Sequence, residues 1–199
     1  APLPDPHARA VAGEDLRHFA IFGALAETCE GRPWQEWPAA YRRPDTPEVQ
    51  AFTWNQASRV EFYEYLQWIA DGQLAAVKAR GEAKGLAIGL YIDLAVGAAR
   101  QGADAWGGQD VIVQQATVGC PPDPFNMLGQ NWSIPPLHPL ALREQGYQPF
   151  IAMLRANMRH AGALRIDHVM GLMHLFWIPM DDTPASGAYV QYPFEDLLA

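Results

Sequence analysis

The stretch "ALRIDHVMGL", Ala163 to Leu172, decides how the chain is read. An apolar run is interrupted at its middle by Arg165, Asp167 and His168. Apolar runs usually line a core, and a core accepts bare charges only at high cost. Read as a strand, the run places residues two apart on one face, so Arg165 and Asp167 point the same way. A guanidinium beside a carboxylate favours the ionised form. A carboxylate kept ionised in a partly desolvated place suits a nucleophile, or an electrostatic stabiliser of a cationic transition state. A structural Arg–Asp pair at a strand end is the alternative reading.

Working outward, "LAIGLYIDLAV" (86–96) has the two-sided apolar character of a parallel strand covered by helices, and Asp93 falls near its C-terminal end. A helix N-cap is the other reading of Asp93. Tyr147–His160 reads as a helix, with Pro149 in its first turn and Ile151, Leu154 and Met158 aligned. Helix, strand, loop, helix, strand is α/β alternation, which implies parallel strands joined by crossover helices. In (β/α)8 barrels the active site lies at the C-terminal strand ends. Leu86–Asp93 and Leu164–Asp167 are therefore expected to be parallel barrel strands, with Asp93 and Asp167 opening on one rim.

Upstream, residues 1–12 read as a loop. Leu16, Phe19, Ala20 and Gly23 give helical spacing to 14–28. Residues 30–50, with four prolines and Trp34 and Trp37, read as an irregular or short-helical excursion. The capping-box pattern "SRVE", Ser58–Glu61, opens a helix whose Phe62, Leu66, Ile69 and Val77 share one face. "DVIVQQATVG" (110–119) is a short extended segment, and "LMHLFWIPM" is extended or helical. Between them, "GCPPDPFNMLGQNWSIPP" is a long Pro/Gly/Asn-rich loop carrying Asp123, Gln130, Asn131 and Trp132. Long ordered loops are often functional. An indole offers a flat face to a sugar ring and amides bond its hydroxyls, although Trp132 as a buried anchor is an equal alternative.

The chain's 199 residues, 49% of them hydrophobic, suffice for a core in one domain, 1–199, with the excursion around 30–56. A formal net charge of −8 gives no electrostatic reason to bind nucleic acid or an anionic membrane. Cys29 and Cys120 lie far apart, which fits a reducing, cytoplasmic setting better than a disulfide framework. The opening residues do not read as a signal peptide, and no apolar run is long enough to span a bilayer. HExxH, GxGxxG, GxxxxGK[ST] and GxSxG are all missing. His160 and His174 are too loosely placed to join His168, so no metal or other cofactor is expected. The opening without methionine and the closing "YPFEDLLA" lead us to expect a fragment.

Taken together, "GLYIDLAVG", "PPDPFNMLGQNWSIPP" and "GALRIDHVMGLMHLFWIP" resemble the 4-alpha-glucanotransferases, also called amylomaltases or disproportionating enzymes. "GAYVQYPFEDLLA", "FYEYLQWIADGQL" and "PWQEWPAAYR" extend the resemblance over nearly the whole chain. It implies a (β/α)8 barrel that moves stretches of α-1,4-glucan between maltooligosaccharides by a retaining double displacement, without a cofactor. It implies Asp167 as nucleophile, Arg165 as the group that holds and polarises it, and His168 as a contact to the sugar just before the cleavage point. Strand alternation alone would turn His168 away from Asp167, so that role requires the strand to end there. Asp93, Asp123 and Trp132 fall on glucan-binding positions, and Gln130 and Asn131 lie in the same loop. The family's acid/base glutamate, in a "GEDLG"-like motif, does not follow Asp167 before Ala199. The chain thus reads as an interior piece of a glucanotransferase, inactive alone, its barrel incomplete. A retaining α-glucan hydrolase of the same barrel type and a non-catalytic glucan-binding module are the alternatives.

Overall fold

The computed structural model describes residues 6–198, with side chains from Gly13 onward. It is mixed α/β and divides into two compact units. The first contains residues 1–79 and 101–108, the second 80–100 and 109–199.

The first unit is helical. Helix α1, Pro6–Thr28, is kinked at Gly13, whose φ of 68° lies outside helical space. Its second half is the helix expected over 14–28. The loop expected over 1–12 is a correction, because the backbone is helical from Pro6; residues 1–5 lie outside the described residues. Proline is tolerated in a first turn, where its missing N–H has no partner to lose. Two short 3-10 turns, Trp34–Glu36 and Ala39–Tyr41, fill the proline-rich excursion. Helix α2, Pro47–Asn55, follows them as the regular helical part of that excursion, although Pro47 reads as a breaker. It sits instead at the helix start, where the Thr46 side chain accepts the Val49 N–H at 3.2 Å. Helix α3, Ala57–Ala83, begins close to the predicted start but one residue before Ser58, which lies inside its first turn and does not cap it.

Ala20, Ile21, Ala24 and Leu25 of α1 form one core with Trp34, Trp37, Val49, Phe52, Val60 and Trp106. Trp106 comes from α4, Ala103–Gly107. Both deepest indoles are satisfied by main-chain carbonyls. Trp37 Nε1 donates to Arg32 O at 2.7 Å and Trp106 Nε1 to Tyr41 O at 2.8 Å. The apolar face expected on α3 is present but exposed: Phe62, Leu66 and Val77 keep 39%, 40% and 51% of their surface. Only Val60 and Glu64 of this helix are buried. Helical spacing identifies a face; it does not say that anything covers it.

The second unit holds all six strands found among the described residues: β1 (Tyr91–Leu94), β2 (Ala116–Cys120), β3 (Gln130–Ile134), β4 (Ala163–Ile166), β5 (His174–Pro179) and β6 (Ala188–Gln191). Strands β1 and β4 form a parallel pair, with Asp93 opposite Arg165. Helices α5, Pro139–Glu144, and α6, Gln148–Met158, precede β4, and α6 packs on the pair. The other four strands form an antiparallel sheet in the order β3-β2-β5-β6. That sheet departs from the all-parallel expectation. Its residues carry the same β-branched and aromatic signal, and strand direction is set by connections that periodicity does not see. Gln130–Ile134, read as loop, is a strand of it. Val118, Leu175 and Tyr192 form its small core, with Val96, Leu137 and Leu197 against them. The last of these belongs to helix α7, Phe194–Leu198.

Gly162 stands where the lead-in to β4 meets the lead-in to β1. Its N–H donates to Leu90 O at 2.8 Å, and a Cβ there would collide with the Ile88 carbonyl. Glycine is what lets the two backbones come together one residue before "ALRID" begins.

Candidate active site

The β1–β4 ladder runs one step past β4: the Asp167 N–H donates to Leu94 O at 3.3 Å. The strand then ends. His168 takes the left-handed conformation (φ 49°, ψ 56°), and a 3-10 turn follows over Val169–Leu172. Alternation is therefore broken at the residue where the expected role of His168 required it to break.

Arg165 lies between two carboxylates. Its Nη1 donates to Asp93 Oδ1 at 3.0 Å and Oδ2 at 2.8 Å, and its Nη2 to Asp167 Oδ1 at 3.3 Å. Asp93 and Asp167 therefore open on one rim of the parallel pair, as expected. The three side chains keep 54%, 59% and 54% of their surface (Arg165, Asp93, Asp167). Ion pairs this exposed contribute at most about 1 kcal/mol each to stability. Folding thus explains little of why three charges are gathered here, and the rim is an open, anionic place with one fixed guanidinium.

The loop residues reach this rim through one contact. The Trp132 indole meets the His168 ring edge-on, with centroids 5.1 Å apart at 84°. Trp132 is half-buried and also packs against the small core of Val118, Leu175 and Tyr192. Its Nε1 donates to Gln130 Oε1 at 2.9 Å on the same strand. Asn131 is exposed and bends its side chain back along its own strand, accepting the Ser133 N–H at 2.8 Å. Asp123 is a turn builder: its Oδ1 accepts both the Phe125 and the Asn126 N–H at 2.7 Å. Of the candidates, Arg165, Asp93 and Asp167 are joined by hydrogen bonds, and Trp132, Gln130 and His168 form a chain of direct contacts. Asp123 and Asn131 make their hydrogen bonds within their own loop and strand.

Sequence reasoning paired Arg165 with Asp167 and left Asp93 apart, whereas Asp93 takes the closer bonds. The partner lies 72 residues away, and only strand register brings it opposite. Both thiols have pKa values raised, chiefly by burial, and for Cys120 also by the charge of Asp123, so neither is poised as a thiolate nucleophile. Among the described residues no group of three or more His, Cys, Asp or Glu could hold a metal ion. Among the same residues no helix is long and apolar enough to cross a membrane.

A profile of the 4-alpha-glucanotransferase family matches residues 9–199. The chain belongs to that family. A 4-alpha-glucanotransferase of Mycobacterium tuberculosis is 47% identical over 94% of the chain, and one of Haemophilus influenzae is 42% identical over 83%. The chain spans about a quarter of the length of these curated relatives, 26% and 24%. An amylomaltase structure from Corynebacterium glutamicum superposes with a TM-score of 0.78 at 37% identity, covering 98% of this chain and 27% of its own. An amylomaltase of Streptococcus agalactiae, solved in complex with acarbose, matches with a TM-score of 0.84. At 21% identity, over 97% of this chain and 41% of that one, it speaks for the fold alone.

Proposed function

We propose that the protein carrying this chain transfers stretches of α-1,4-glucan between maltooligosaccharides, with Asp167 as its nucleophile. An Asp167 oxygen attacks the anomeric carbon of the donor as the bond to the leaving glucan oxygen breaks. A carboxylic acid outside these 199 residues gives that oxygen its proton. An acceptor hydroxyl then attacks the same carbon, the bond to Asp167 breaks, and the hydroxyl proton passes to the conjugate base. Two inversions give net retention. Arg165 holds the Asp167 carboxylate. His168, Trp132, Asp123, Gln130 and Asn131 line the glucan cleft with Asp93. The parallel β1–β4 pair is one part of a (β/α)8 catalytic barrel to which all of 1–199 belongs, and the chain alone is inactive. The protein works in the cytoplasm and needs neither cofactor nor metal.

The observation that carries this reading is the end of β4. A guanidinium-held carboxylate stands on the rim of a parallel pair, and the next residue turns out of the strand into an aromatic contact. Family membership supports the substrate class. The test is incubation of the whole protein with maltotriose. Glucose together with chains longer than maltotriose is the expected product set, and added glucose should shift it. Release of reducing sugar with no longer chains indicates hydrolysis and overturns the transfer reading.

A further inference from the structure

We propose that Asp93 is a positioning residue: it clamps the Arg165 guanidinium so that Arg165 presents its other nitrogen to Asp167. This rests on Asp167 being the nucleophile and gives Asp93 a task beyond its place in the cleft wall. The two residues are register partners on neighbouring strands, so their side chains leave the sheet on the same face at the same height. Both Asp93 oxygens take Arg165 Nη1, at 3.0 Å and 2.8 Å, whereas Asp167 receives one longer bond of 3.3 Å from Nη2. A guanidinium is planar and rigid, so fixing one terminal nitrogen fixes the direction of the other. The stem of Arg165 is flexible and more than half exposed, and the adjacent Asp167 would not hold its head alone. Asp93 supplies the missing constraint.

The test compares Asp93→Asn with the unaltered whole protein, with maltotriose as substrate and 5-fluoro-α-glucosyl fluoride as a label for the nucleophile. A misplaced reacting group costs on the order of 10²-fold. We expect kcat and the rate of Asp167 labelling to fall together by about that factor, with KM for maltotriose nearly unchanged. In an Arg165→Ala background, Asp93→Ala should lower the labelling rate by no more than about twofold further, because nothing remains to be held. Asp93→Glu, which keeps the charge, should recover part of the labelling rate, and it serves as the variant if Asp93→Asn does not fold. A raised KM with unchanged kcat makes Asp93 a sugar contact and overturns the proposal, as do losses that simply multiply in the double variant. If the unaltered protein shows no label on Asp167, the nucleophile reading falls and takes this proposal with it. If it is labelled and Asp93→Asn is labelled equally fast, the proposal alone falls.

Discussion

The indoles of the first unit and the indole at the rim of the second are the same chemical group in opposite circumstances. Trp37 and Trp106 keep 1% and 0% of their surface, lie among other rings, and spend their N–H on main-chain carbonyls, of Arg32 and Tyr41. Trp132 is half-buried, meets a histidine edge-on and spends its N–H on a side chain two residues away. A main-chain acceptor within a sealed core fixes an indole as part of the fold. A side-chain acceptor on an open strand goes with a ring that stays partly in water. The charges follow the same division. Glu64 of the first unit is buried against Arg17, whereas Asp93, Arg165 and Asp167 are gathered where water reaches them. What a residue does here follows from what surrounds it.

The sharpest way to break this comparison is at Asp167. In the whole protein, Asp167→Asn keeps size and shape and removes the charge. Transfer activity should fall on the order of 10⁴-fold or more, the scale seen when a nucleophile is removed. The thermal midpoint should stay close to that of the unaltered protein, because exposed pairs contribute little to stability. Near-normal maltotriose disproportionation by this variant would remove Asp167 from the mechanism.

A tryptophan pair gives the next effects in size. Trp106→Ala opens a cavity in the helical core and strands the Tyr41 carbonyl, so it should cost about 3–5 kcal/mol in urea unfolding. Trp132→Ala should cost stability far less, about 1–2 kcal/mol, because part of its surface is already in water. It should weaken maltooligosaccharide use about tenfold, the size of one aromatic contact of about 1.5 kcal/mol at most. If Trp132→Ala unfolds the protein as readily as Trp106→Ala does, the rim indole is a core anchor like the others.

Much of this was legible in the sequence, unevenly and for physical reasons. "ALRIDHV" announced a strand and a same-face Arg–Asp pair, because period-two geometry is local; that the strand ends at His168 was only what the role implied by the family resemblance required. The parallel partner of that strand was legible too, as a second apolar run near a carboxylate. The Asp93–Arg165 clamp was not, since it depends on register between residues 72 apart. Nor was the antiparallel sheet, whose "QNWSI" strand sits among prolines and glycines that read as loop. The exposed face of α3 shows the converse. Phe62, Leu66 and Val77 hold helical spacing as well as any core helix, and periodicity carries no information on cover.

The smallest expected effect sharpens the charge half of the comparison. Glu27 on α1 takes Arg59 Nε at 2.6 Å, a second bond from Arg59 Nη2, and the Tyr63 hydroxyl at 2.8 Å. The Arg59 guanidinium first, then the Tyr63 hydroxyl, lower its pKa from 4.5 to about 2. A carboxyl whose pKa is lower when folded binds fewer protons folded than unfolded. Its contribution to stability is therefore present above about pH 4.5 and fades as pH falls toward 2. Both partners keep about two-fifths of their surface, so water and salt screen the pair and the contribution is small. The measurement is urea unfolding of the unaltered protein and of Glu27→Gln from pH 7 down to pH 2. The variant should be slightly less stable at pH 7, the gap should close between pH 4.5 and 2, and added salt should narrow it at every pH. A gap that stays constant down to pH 2 would mean that Glu27 acts through packing, and the contrast with the exposed triad at β4 would then rest on the tryptophans alone.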